Sequence, residues 1–166
     1  AIWVAELFFV EDVLHRGNVT YGVWLSLWTA GMALGAMLLS RRVAAGAIAV
    51  AGLGAVAVQG AALAVPAAVL GVGVFLACAV VGGLAHGLKN VMFRSLIHLR
   101  VPDAMHGRGF AGYNALRNTA ELGAFAAGGL LVNTIGPRGT VAYAGGLSAL
   151  VGLLGLLTLL RTRGRA

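Results

Sequence analysis

The chain has 166 residues, of which 60% are hydrophobic and 10% charged, and its mean hydropathy is +0.92. So few polar groups cannot cover a soluble globule of this size, and lipid rather than water is the expected solvent. The net charge of +7 is carried without any basic stripe interleaved with aromatics, which sets nucleic acid aside as a partner and points to anionic membrane lipids.

Six apolar segments follow one another, and over such lengths only helices satisfy every backbone group in lipid. Membrane strands of alternating polarity are not seen. The first segment, Ala1 to Leu14, is shorter than a span requires and shows no signal-peptide pattern. It reads as a helix cut short, in a fragment of a longer chain. Glu6 lies about three turns from the following loop, and a carboxylate at that depth must pair with a cation or stay protonated. Glu11 and Asp12, near the segment's end, read as interface residues. The second segment, Tyr21 to Ser40, closes on Arg41-Arg42, and the third, Val43 to Val65, closes on Pro66. Small residues recur at four-residue spacing in Gly31 and Gly35, Gly83 and Gly87, Ala124 and Gly128, and Ser148 and Gly152, which predicts close helix contacts.

The fourth segment, Ala67 to Phe93, contains the only cysteine, Cys78. A lone cysteine excludes an internal disulfide or a paired-cysteine metal motif, and neither metal nor cofactor is expected. Its far end presents His86, Lys89, Asn90 and Phe93 at i, i+3, i+4 and i+7, one helical face. Lys89 either snorkels to headgroups or serves an inner gate, and His86 either packs or accepts a proton. The break that follows, Arg94 to Gly109, carries Arg94, Arg100, Asp103 and Arg108. Headgroup contact and gate salt bridges are both open to it, and Asp103 can begin a turn after Pro102.

The fifth segment, Phe110 to Thr134, carries Asn114, Arg117, Asn118 and Glu121 at i, i+3, i+4 and i+7. Arg117 lies roughly 10 Å in from the start of the segment, and Glu121 is a turn deeper. Charges at such depth are expensive and commonly functional, although an i, i+4 pair that neutralises itself is the simpler reading. Gly136-Pro137-Arg138-Gly139 separates this segment from the last, Val141 to Leu160.

Eight arginines, Arg41, Arg42, Arg94, Arg100, Arg108, Arg161, Arg163 and Arg165, fall on one face of this layout, whereas Arg16 and Arg138 fall on the other. The positive-inside rule places the first face, with the C-terminus, in the cytoplasm of a multi-pass plasma-membrane protein. Segments three and six are nearly free of polar side chains, while one, four and five hold nearly all the intramembrane charge. The expected architecture is therefore an all-α integral membrane fold of two inverted three-helix repeats.

These residues resemble a known family. The three-plus-three arrangement, the loop Val101-Pro102-Asp103 followed by Gly107-Arg108, and Phe9-Val10-Glu11-Asp12-Val13-Leu14 with Tyr21-Gly22 are similar to the C-terminal half of a major facilitator superfamily transporter. The branch nearest in pattern is that of macrolide-efflux and enterobactin-exporter-like permeases. The resemblance implies helices seven to twelve of twelve, a missing N-terminal six-helix half of the same chain, and alternating access driven by protons. The sequence departs from the family's Gly-xxx-Asp-Arg type signature, since Gly35 to Arg42 contains no acid.

The expected function is therefore a permease for a small amphipathic molecule. Glu6 and Glu121 are the candidates for proton coupling, and His86, Lys89, Asn90, Asn114, Arg117 and Asn118 those for cavity or gate. Trp24, Trp28 and Tyr113 are available as cavity walls. A non-transporting structural or accessory subunit is the alternative. No nucleophile elbow or metalloprotease helix points to an enzyme.

Overall fold

The computed structural model describes residues 2–163, and within them every regular element is helical. Ala1 and Arg165 lie outside the described residues, as does the side chain of Arg163. Helix α1, Ile2–Phe8, passes into a π-helical turn, Phe9–Val13, and the chain then turns through His15, whose φ of 51° is left-handed. Helix α2, Asn18–Leu34, continues through a second π-helical turn, Gly35–Leu39, and a 3-10 turn, Ser40–Arg42. Helix α3 spans Ile48–Ala68 and helix α4 spans Val72–Arg100. Helix α5, His106–Arg163, follows a single 3-10 turn, Asp103–Met105.

Three boundaries differ from the sequence expectation. Pro66 does not break the third segment: it sits buried in the last turn of α3, where its missing N–H removes one bond, and the helix ends two residues later at Ala68. The fourth helix does not stop at Phe93. Nothing between Arg94 and Arg100 opposes a helix, and it ends only where Pro102 forces Val101 into an extended conformation (φ −104°, ψ 131°). The expected long loop is thereby reduced to one short turn, with Arg94 and Arg100 on α4 and Arg108 on α5. Lastly, the break at Gly136-Pro137 is a single-residue corner, Gly136 (φ 73°, ψ 171°), inside an otherwise continuous helix. Glycine takes that conformation without steric cost, and Pro137 restarts the helix with its fixed φ.

Straight, α5 would be nearly three bilayer cores long. The corner resolves this by dividing it into a first arm, residues 106–135, and a second arm, residues 137–163. The second arm runs antiparallel to α3, as the approaches Gly145 to Ala64, Gly60 to Ala149, Gly152 to Ala57 and Gly155 to Leu53 show. Arg138, just past the corner, donates its Nε–H to the Ala67 carbonyl at 2.8 Å.

Helices α2 and α4 pack parallel, with α3 antiparallel to α4 on the other side. The contact with α2 is built on backbone touching backbone. A Cβ on Gly31 would lie 2.8 Å from the Val80 carbonyl oxygen, and Cβ atoms on Gly83 and Gly87 would collide with the Trp28 and Met32 carbonyls. In lipid, where the hydrophobic effect does not drive helices together, such close approach supplies the association energy through packing. The expected small-residue pairs Gly31/Gly35 and Gly83/Gly87 are the facing surfaces of this one interface.

Where α1, α2, α4 and α5 meet, Phe9, Trp24, Trp28, Phe75 and Val141 form a buried cluster. The rings form a ladder with centroid separations of 5.8 Å for Phe9 to Phe75, 5.5 Å for Phe75 to Trp24 and 5.5 Å for Trp24 to Trp28. The first arm of α5 is different: from Asn114 to Ala127 every residue is exposed. Four helical stretches, Asn18–Arg42, Ala45–Ala68, Val72–Arg100 and Asp103–Thr162, are long and apolar enough to cross a membrane, which points to a membrane-embedded protein.

A candidate intramembrane polar site

Three places in the bundle hold ionisable side chains away from the helix ends, and they are distinct. The first is a cleft of about 310 Å³ between α3, α4 and the first arm of α5. Lys89, Asn90 and Phe93 reach it from one face of α4, and Tyr113, Leu116 and Arg117 reach it from the arm. Helical periodicity is what brings them there: Lys89 and Phe93 are one turn apart, as are Tyr113 and Arg117. Val56, on apolar α3, forms the remaining wall.

Behind the cleft, Lys89 Nζ donates to His86 Nδ1 at 3.5 Å, a long contact. In that contact Nδ1 is the accepting side, since an ammonium only donates. The other side of the His86 ring meets Trp28 at a centroid distance of 5.7 Å, which joins the cleft to the aromatic ladder. The Arg117 guanidinium is near enough for its charge to act on both Lys89 and His86.

The expected stripe on the first arm divides. Arg117 faces the cleft with Lys89, whereas Asn118 and Glu121 line a second cavity of about 290 Å³ with Leu122 and Phe125. Successive helical residues differ by about 100° in direction, so a stripe that includes neighbours such as Arg117 and Asn118 is too wide to serve one wall. Asn114 is exposed beside them and lines neither cavity. Arg117 and Glu121 do not neutralise each other, since among the described residues the one ion pair joins His106 Nε2 to Asp103 Oδ1 at 3.6 Å.

Glu6 is the third place. It is 1% exposed, and its Oε2 has no hydrogen-bond partner among the described residues. Its helix neighbours Ala5, Phe9 and Val10 are all buried in the aromatic core, and the Tyr21 phenol is within electrostatic range. A carboxylate in that setting is stable only as the neutral acid or opposite a cation, and no cation faces it among the described residues. The structure therefore does not gather Glu6 into the Lys89 cleft, and it places Glu121 apart from both.

At the turn between α4 and α5, His106 Nε2 donates to the Val101 carbonyl at 2.9 Å, and the His98 ring meets His106 and Phe110 edge-on at 4.7 and 5.0 Å. These contacts lock the turn. Arg94, Arg100 and Arg108 are exposed and make no ion pair among the described residues, so no salt-bridged gate is closed here.

Trp24 and Trp28 are core residues rather than cavity walls, exposed by only 2% and 4%, while Tyr113 does line the cleft. What sequence reading missed is the reason. Gly82 and Gly83 on α4 make the seat for Trp28, and the facing glycine pair was the available signal. No protein-family description, curated protein or solved structure matches the chain.

Proposed function

We propose that this chain belongs to a secondary transporter that moves a small amphipathic molecule across the plasma membrane by alternating access, with efflux coupled to protons. The observation that carries this reading is the cleft shared by Lys89, Asn90 and Arg117 within segments otherwise apolar enough to span lipid. Uncompensated charge at that depth is expensive, and a water-filled path through which solutes pass is the setting that tolerates it. On this reading, α1 and the two arms of α5 counted separately complete two inverted three-helix repeats, with the C-terminus in the cytoplasm. The exposed first arm offers the surface against which a second six-helix half would close the cavity.

Within this scheme Glu6 is the proton carrier. Kept neutral in the aromatic core, it gains and loses its proton only when rearrangement admits water or a cation. Glu121, exposed on the arm beside Asn118, is a secondary candidate.

Reconstitution of the full-length protein into liposomes tests the reading. Under an imposed pH gradient, flux of fluorescent amphipathic dyes, anionic carboxyfluorescein and cationic ethidium among them, is expected to exceed that of protein-free vesicles for at least one dye. Glu6→Gln should abolish the gradient-driven component while leaving dye counterflow intact. Flux at the protein-free rate for every dye tried sets the transporter reading aside in favour of an accessory subunit.

A further inference from the structure

All five side-chain carboxylates can be located. Glu6 is buried in the core, Glu11 and Asp12 lie in the π-helical turn after α1, Asp103 pairs with His106, and Glu121 lines a different cavity. None lines the cleft of Lys89 and Arg117. That cleft therefore gathers two cations and an amide donor, Asn90, with no side-chain carboxylate among the described residues lining it. Its remaining walls are of another character: Phe93, Leu116 and Val56 are apolar and Tyr113 is amphipathic. With about 310 Å³ it has the size of a small ligand site.

Two like charges lining one cleft repel each other, and an anion bound between them relieves that repulsion while accepting charge-assisted hydrogen bonds from both. Arg117 offers a planar fork of donors suited to the paired oxygens of a carboxylate, sulfate or phosphate, and Lys89 adds a point charge on a flexible stem. The Lys89 interaction with His86 does not satisfy it, since the ammonium has three donors and the imidazole accepts only one. An apolar wall beside a paired cation is complementary to a molecule with an anionic head and an apolar body.

We infer that the Lys89, Asn90 and Arg117 cleft is an anion-binding site for an amphipathic molecule bearing a carboxylate, sulfate or phosphate group. This rests on the transporter reading only in calling the occupant a substrate, because an anionic lipid headgroup shares the same chemistry.

The test uses the full-length protein in phosphatidylcholine nanodiscs and compares decyl sulfate with decyltrimethylammonium, ligands of the same chain length and opposite charge. Wild-type protein is expected to bind the sulfate at least about tenfold more tightly than the ammonium, the equivalent of one charge-assisted hydrogen bond. Lys89→Gln and Arg117→Gln should each remove most of that preference, Lys89→Arg should retain it, and Arg117→Glu should reverse it. Because the preference is a ratio within one sample, a lower folded yield does not imitate it. Equal affinity for the two ligands, or a preference indifferent to Lys89 and Arg117, overturns the proposal.

Titrating phosphatidylglycerol into the nanodiscs separates the two sources. Displacement of decyl sulfate identifies a lipid headgroup as the occupant, and undiminished binding identifies a soluble anion. Carboxyfluorescein counterflow in proteoliposomes keeps the two readings distinct. Counterflow insensitive to Lys89 and Arg117 leaves transport standing without the anion site, whereas charge-selective binding without flux of any dye does the reverse.

Discussion

Arg138 and Glu6 show how differently a single polar side chain is accommodated in this fold. Arg138 satisfies one of the carbonyls that the C-terminal turn of α3 leaves unpaired, and so ties that helix to the second arm just after the corner. The bond is only part-buried, so it is worth less than a fully buried charged one. Arg138→Ala is expected to lower the stability of the detergent-solubilised protein by about 1 kcal/mol in thermal or denaturant unfolding. The Glu6 Oε2 has no such tie among the described residues, and burial there favours the neutral acid. Glu6→Gln preserves shape and neutrality and should leave folded yield within about twofold of wild type, whereas Glu6→Lys puts an obligate cation into the aromatic core and should abolish folded protein in size-exclusion chromatography. Equal yields for the two variants would show that the site is already wet. The depth and sequence context of Glu6 were enough to single it out. That its neighbours would be rings rather than a cation depends on α1, α2, α4 and α5 meeting, which periodicity within one helix does not encode.

Among the elements, glycine sets the distances. At the interface between α2 and α4 the backbones approach until a Cβ on Gly87 would overlap the Met32 carbonyl, whereas a Cβ on Gly54 in α3 meets nothing within 4 Å. Gly87→Ala is therefore expected to destabilise the folded protein by about 1 to 3 kcal/mol through overpacking. Gly54→Ala should be neutral or stabilising by up to about 1 kcal/mol, since alanine is the better helix former. Midpoints of thermal unfolding measured side by side decide between these signs. The spacing of Gly31, Gly35, Gly83 and Gly87 announced the interface correctly, because small residues four apart lie on one helical face whatever the helix meets. Boundaries were less legible. Arginines marked where charge begins, and that is not where the helix stops: α4 runs through Arg94 and Arg100 until Pro102 acts on Val101. Pro66 misled in the opposite sense, since a proline in a last turn costs little.

At the scale of the whole molecule, the first arm of α5 is the element that packing leaves unexplained. The other long helices bury a face, while this arm stands exposed along most of its length with Arg117 and Glu121 on it. The sequence identified the charges but implied one shared cavity for the polar residues of three helices. In the folded chain they separate into the Lys89 cleft, the Glu121 cavity and the sealed Glu6, because which helices adjoin is decided by contacts between elements far apart in sequence. Orientation can be checked directly. With Cys78→Ser and any cysteine elsewhere in the full-length protein replaced as well, a membrane-impermeant maleimide added outside intact cells should label a cysteine at Asn18 and spare one at Arg42. The reverse pattern would invert the topology.

The central claim is that the cleft is a wet path rather than a dry packing seam, and the most direct measurement is the reactivity of a cysteine placed in its wall. Ala120 lines the cleft, whereas Leu150 lies at a comparable distance along the second arm and is exposed on the apolar surface. In the cysteine-free full-length protein in membranes, Ala120→Cys is expected to react with a charged methanethiosulfonate at least about tenfold faster than Leu150→Cys, because the reagent needs water around the thiolate. Decyl sulfate should protect the Ala120 position. A cysteine at Ala120 as unreactive as one at Leu150 would contradict the account and leave a packed accessory helix bundle in its place.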